Sequence, residues 1–121
     1  WPRKPRSPVT AAADSDEPFP RLRRLVRDYQ LPTYSVEIWR LEWEKASWSK
    51  RRAFVRVLVH RSRVRTLEAH VWSPSEWCWN ELHATTDLSA PEDTTDPEAF
   101  GPDVRRALEL AAQILWPSWA R

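Results

Sequence analysis

Three stretches of two-residue alternation limit what this chain can fold into more than anything else in it. They are "YSVEIWRLEW" at 34–43, "RAFVRVLVHR" at 52–61 and "RTLEAHVW" at 65–72. Each is rich in β-branched and aromatic residues, which pack well on a pleated surface, and each has the length of a strand. In the second run Ala53, Val55, Val57 and Val59 share one face, and Phe54, Arg56, Leu58 and His60 share the other. In the third, Leu67, Ala69 and Val71 oppose Glu68, His70 and Trp72. The connections are short, so the runs predict a three-stranded antiparallel meander. The first run is apolar on both sides, with Val36 and Ile38 facing one way and Trp39, Leu41 and Trp43 the other. A sheet wet on one side alternates more cleanly, so the second face is expected to be covered too.

The segments around the meander read as helix, loop and helix. In "RLRRLVRDYQ", Leu22, Leu25, Val26 and Tyr29 recur at the three-and-four spacing of an amphipathic helix. That helix must stop before Pro32, because a residue preceding proline is pushed out of the α region. Residues 74–82 predict a short helix, with Ser73 or Ser75 as cap and Glu76 in its first turn. Residues 83–99 are acidic, contain Thr and Pro, and read as a long loop. Last, "GPDVRRALELAAQILW" predicts a helix from Asp103, its N-cap, to about Trp116, with Pro117 ending it. The expected fold is therefore α+β in the order α-β-β-β-α: a three-stranded antiparallel sheet with two helices on one face. Residues 73–100 form an acidic insertion before the last helix. The domain spans 20–117, between a Pro- and Ser-rich tail or linker at 1–19 and a short tail at 118–121.

The 121 residues include one glycine and eleven prolines, so few backbone sites tolerate positive φ. No methionine occurs, even at position 1, and the chain reads as a piece of a longer protein. A lone cysteine, Cys78, cannot form an internal disulfide, which favours a reducing, intracellular setting. No apolar run approaches the roughly 18 to 20 residues that span a bilayer, so no membrane is expected. The net charge of +2 conceals a strong asymmetry. Residues 21–65 hold 13 Lys and Arg against four acidic side chains, and residues 74–103 hold eight acidic side chains and no basic one. A basic face attracts polyanions.

The junction Leu31, Pro32 and Tyr34, the run "AFVRVLV", and the later series Gly101, Asp103, Arg105, Ala107 and Ala111-Ala112 occur in one order. In that order and spacing the chain resembles the double-stranded RNA-binding domains, over roughly residues 20–72 and 101–116. The resemblance implies a helix, three strands and a helix, and a surface that reads duplex RNA by shape, through 2′-hydroxyls and phosphates. Arg105 and Arg106, at the start of the last helix, would contact phosphates. Lys50, Arg51 and Arg52 would reach a minor groove from the first hairpin, and Arg24 and Arg27 would lie along the other. The chain departs from the family at Arg24, where a glutamate is usual, at Val104, where a lysine is usual, in its first hairpin loop, and in the inserted residues 73–100.

Two functions follow. The first is a non-catalytic module binding double-stranded or structured RNA for a larger RNA-handling protein. The second is a protein-interaction or dimerisation module that uses a tryptophan-rich sheet face, with Trp39, Trp43 and Trp72 sharing that face and Trp77 and Trp79 beside it. Large exposed apolar patches mark such interfaces. Catalysis is not expected. Asp28, His60, His70 and His83 have no nucleophile, carboxylate pair or phosphate-binding glycine loop at a useful spacing. No cofactor or metal is implied, since the three histidines are scattered along the chain.

Overall fold

The computed structural model describes residues 21–28, 31, 33–46, 49–61 and 64–117, and for 44–46 and 49–50 the backbone alone. The expected tails at 1–19 and 118–121, and the side chain of Lys50, lie outside the described residues. Five strands follow one another: β1 (Arg21–Asp28), β2 (Tyr34–Ala46), β3 (Ser49–His60), β4 (Thr66–Ser73) and β5 (Cys78–Thr85). They pair in sequence order, all antiparallel, into a single five-stranded sheet. A short 3-10 turn (Pro97–Phe100) leads into one helix, α1 (Gly101–Leu115). The α-β-β-β-α expectation is therefore corrected. Among the described residues there is one α-helix, not two, and the sheet has five strands, not three.

Both errors arise where a segment read as a helix pairs as a strand. Residues 21–28 pair with β2 from Arg21↔Glu42 to Asp28↔Val36, and the register slips between Arg24 and Val26. The bulge adds Leu25 without a partner and turns every later side chain to the opposite face. Leu22 therefore points at the core while Val26 points away from it, and the spacing that imitates a helical stripe comes from a kinked strand. Without β1, the 13-residue β2 would be a long exposed edge, which folded proteins avoid. Residues 74–82 behave likewise. Pro74–Trp77 form a turn closed by Trp77 N–H donating to the Ser73 carbonyl at 2.8 Å, and the chain then returns as β5. β5 also carries a register slip, opposite Ala69/His70, which leaves Leu82 as the extra residue, packed against the core. With the single glycine inside α1, the left-handed corner of this turn falls to Trp77, at φ 56°.

The core lies between one sheet face and α1. Val55, Val57 and Val59 of β3, Leu67 and Ala69 of β4 and Leu41 of β2 meet Val104, Ala107, Leu108, Ala111 and Ala112. All are buried, and each large aliphatic side chain contributes about 1.5–3 kcal/mol. The helix packs on β3, β4 and β5. The acidic segment is also held down. The buried Asp103 carboxylate accepts from Ser89 N–H (2.7 Å), Ser89 O–H (2.9 Å) and Ala90 N–H (3.2 Å). Arg65 donates to the Ala90 carbonyl at 2.8 Å, and its guanidinium lies over the buried ring of Phe100. The expectation that Asp103 caps its own helix is corrected too. The N-cap position is Phe100, and Asp103, in the first turn, binds the backbone of the preceding loop.

Candidate functional site

The sheet face opposite α1 has nothing packed on it among the described residues. Its side chains follow from the register. Val26 of β1 sits beside Ile38 of β2, Ile38 beside Arg56 of β3, Arg56 beside His70 of β4, and His70 beside Glu81 of β5. One row up, Arg23 neighbours Arg40, and Arg40 neighbours Phe54; Trp72 neighbours Trp79 on the far strands. One row down, Val36 faces Leu58 and Leu58 faces Glu68. The apolar members are not hidden by their neighbours: Val26 is 49% exposed and Phe54 39%. At the β4–β5 turn Trp77 is 78% exposed and meets Trp72 edge-on with ring centres 5.1 Å apart; Trp72 and Trp79 make a similar contact at 5.4 Å.

A polar network crosses the middle of this face. Arg56 Nε donates to His70 Nδ1 at 3.2 Å, with Nη2 3.0 Å from the same atom. A guanidinium only donates, so Nδ1 accepts and the ring proton sits on Nε2, from which it donates to Glu68 Oε1 at 3.1 Å. Glu68 Oε2 meets His60 Nε2 at 3.3 Å. Arg56 is also stacked over Trp79, 4.9 Å from the ring centre. Two of the three histidines, His60 and His70, are thus gathered by β3 and β4. Glu68, His70 and Glu81 even bring ligand atoms within 4.8 Å of one another. The set fits a metal poorly. A cation at His70 Nε2 would force the ring proton onto Nδ1, against two guanidinium N–H groups, and would sit beside the Arg56 charge. The network is a self-satisfied one that fixes the orientation of Arg56.

The tryptophans expected to share one face are divided. Trp39 and Trp43 lie on the helix side, where Trp39 packs against the core and Trp43 stacks on Trp116 with ring centres 6.2 Å apart. Trp72 and Trp79 lie on the open side, with Trp77 at the turn beside them. The odd-numbered residues of β2 belong to the covered face, because Leu41 points into the core and the alternation carries Trp39 and Trp43 with it.

Three of the seven expected RNA-binding residues converge. Arg24, Arg27 and Arg105, with Glu37, Glu98 and Trp39, line a cavity of about 250 Å³ between β1 and the start of α1. Its cations are engaged: Arg27 pairs with Glu98 and lies 3.5 Å from Glu37, Arg24 lies over the Trp39 ring, and Arg105 donates to Glu109 at 3.0 Å. Glu37 accepts from Trp39 Nε1 at 2.7 Å, and burial pushes its pKa above the ordinary carboxylate value despite that bond and the Arg27 charge. A raised folded-state value means protonation favours the folded state, so Glu37 by itself adds stability as pH falls through the window between its unfolded and folded values. Arg27→Gln should therefore cost about 1–2 kcal/mol at pH 7 and progressively less toward pH 4, where neutral Glu37 needs no counter-charge. Urea unfolding at the two pH values checks this; a cost independent of pH would detach Arg27 from Glu37.

The remaining expected contacts lie elsewhere. Arg51 and Arg52 are exposed near the β2–β3 hairpin, and Arg52 pairs with Glu42 at 3.3 Å. Arg106 turns to the loop, donating to the Asp87 carbonyl at 2.6 Å and to Asp103 at 3.2 Å. Arg106→Ala is expected to lose about 1 kcal/mol of stability, against a few tenths for Arg105→Ala, whose bond is an exposed i,i+4 pair. Equal losses in thermal unfolding would refute the anchoring role. Sequence reasoning groups Glu68 with His70 and Trp72 but misses Val26 and Glu81 as members of the open face. The alternation "TLEAHVW" shows the face of Glu68, whereas the two bulged strands do not reveal theirs. Comparison with protein-family models, with curated proteins and with solved structures finds no match to this chain.

Proposed function

We propose that the chain is a non-catalytic protein-interaction module that docks through the open face of its sheet. The observation that carries this reading is the uncovered five-stranded face, where Val26, Val36, Ile38, Phe54 and Leu58 adjoin an exposed tryptophan cluster. A sheet face this apolar has to bury itself against another layer, and no described element of the chain supplies that layer. The Arg56–His70–Glu68 network supports the reading, because it holds a charged group in fixed orientation amid apolar neighbours. The test is a photoreactive benzoylphenylalanine in place of Phe54, in cells producing the full-length protein, with the same probe at Gln113 as control. A discrete protein adduct from position 54 alone is expected; a nuclease-sensitive adduct, or none, defeats the reading.

Binding of structured RNA is the second reading, favoured by the convergence of Arg24, Arg27 and Arg105 at the start of α1. Phosphate contacts would make affinity fall steeply with salt, whereas an apolar interface barely responds. Fluorescence anisotropy with a labelled RNA duplex of about 16 base pairs decides. Salt-sensitive binding lost in Arg24→Ala/Arg105→Ala would support RNA, and no binding at low salt would remove it. Among the described residues no helix is long and apolar enough to cross a membrane. With one unpaired, exposed cysteine, the module is proposed to work inside the cell.

A further inference from the structure

The open face is uneven, and its unevenness selects a partner. At one edge, β1 and β2 bring Arg23 and Arg40 side by side. At the other, β4 and β5 bring Glu68, Glu81, Trp72 and Trp79. One edge therefore carries Arg23 and Arg40, with Glu42 3.6 Å from Arg40 and Asp28 at the far end of β1, and the other is acidic and aromatic, with the apolar Phe54 and Leu58 on β3 between them. A surface with this division is complementary to itself once its strand order is reversed.

We infer that the partner is a second copy of this chain, packed face to face about a two-fold axis running along β3; this rests on the docking reading above. Such an axis lays the order β1 to β5 over β5 to β1. Each Arg23 then lies over Trp79 of the other copy, and Glu81, one row or about 7 Å further along the strand, is within reach of its guanidinium, twice, as a two-fold interface requires. The contact type already exists within one chain, where Arg56 stacks on Trp79. On the axis, Phe54 and Leu58 meet their own counterparts. Arg56 does not oppose its copy there, because His70 and Trp79 hold it toward β4 and β5. Five strands about 4.8 Å apart, each offering some eight residues at about 3.4 Å, give a face of roughly 600 Å² per copy, or about 1,200 Å² in all. That is the lower bound of a stable specific interface, so the dimer is expected to dissociate on dilution. Two such sheets would pack about 10 Å apart, the spacing of stacked sheets.

Sedimentation equilibrium of the full chain, across micromolar concentrations, tests this. The wild type is expected to run as a monomer–dimer equilibrium, and Phe54→Asp, with unchanged circular dichroism, as a monomer. Arg23→Glu and Glu81→Arg are each expected to weaken dimerisation about tenfold, since each sets like charges together twice. The double variant Arg23→Glu/Glu81→Arg is expected to recover most of the loss, because opposite charges again meet across the axis. A wild type that stays monomeric, a dimer indifferent to Phe54→Asp, or a double variant as weak as the sum of its parts would each overturn the arrangement. The photoreactive probe at position 54 separates the two levels. An adduct of twice the chain mass fits a second copy, an adduct of another mass leaves docking intact but with a different partner, and no adduct removes both.

Discussion

Asp103→Ala is expected to be among the most damaging single changes in the molecule, at about 3 kcal/mol or more. The carboxylate is 1% exposed and accepts from the Ser89 amide, the Ser89 hydroxyl, the Ala90 amide and Arg106. Alanine leaves these donors facing a small cavity. Each buried donor stripped of its partner costs about 1–3 kcal/mol, and only those that water reaches recover part of it. The change also releases the loop from the helix, so the Ser89 and Ala90 amides should lose protection from hydrogen exchange before the sheet does. Asp103→Asn should cost about half as much, since its amide oxygen can serve some of the donors while its NH2 group opposes the others. Urea denaturation with exchange measurements on these two amides checks both effects. A loss below about 1 kcal/mol, with both amides still protected, would mean that the loop is held by other contacts.

Phe100→Ala should be comparable, at about 3–5 kcal/mol, because a large ring is removed from a site with no other access to solvent. Phe100 is 1% exposed, ends the 3-10 turn and takes the N-cap position of α1, under the Arg65 guanidinium. The cavity would lie where the loop, the helix and β4 meet, and Arg65 would lose the ring it covers. Phe100→Leu fills most of the space and should recover more than half of the loss. If the alanine and leucine variants melted together near the wild-type temperature, Phe100 would be peripheral to folding. Neither residue lies on the open sheet face, so weaker dimerisation in these variants should track the unfolded fraction alone.

Several parts of this architecture are legible in the amino-acid order. The runs at 34–43, 52–61 and 65–72 fall on β2, β3 and β4, because alternation is a local property and no bulge disturbs those stretches deeply. The last helix is legible for the same reason, its apolar stripe Val104, Ala107, Leu108, Ala111 repeating with the helical period. The two-sided apolar character of β2 also carries real information: Leu41 and Trp39 serve the core, and Val36 and Ile38 reach the open face. The expected cover for that face, however, is not supplied by any described part of the chain. Segment 21–28 imitates a helix because one extra residue in a strand, Leu25, shifts the period from two toward the spacing of a helix, and segment 74–82 because its capping serine is real but closes a turn, with Glu76 N–H donating to Ser73 Oγ at 3.3 Å. Phe100 and Ala90 are masked by an acidic, proline-containing stretch, where composition speaks louder than two apolar residues.

The candidate site shows the same division. Side-chain chemistry alone supplies a basic first half, an acidic later segment, many tryptophans and no catalytic set. Which arginines act together, and on which side, depends on strand register. Register places Arg24 and Arg27 beside Arg105, separates Trp39 and Trp43 from Trp72, and gathers His60, Glu68, His70 and Glu81 on one surface, while the helix start turns Arg106 to the loop. Local periodicity is written into the chain, because neighbours a few residues apart suffice to express it. The pairing of β1 and β5, the two bulges and the open face arise only in the folded molecule. Those depend on hydrogen bonds and packing between residues far apart in the chain, and a one-residue shift in them sends every following side chain to the other side.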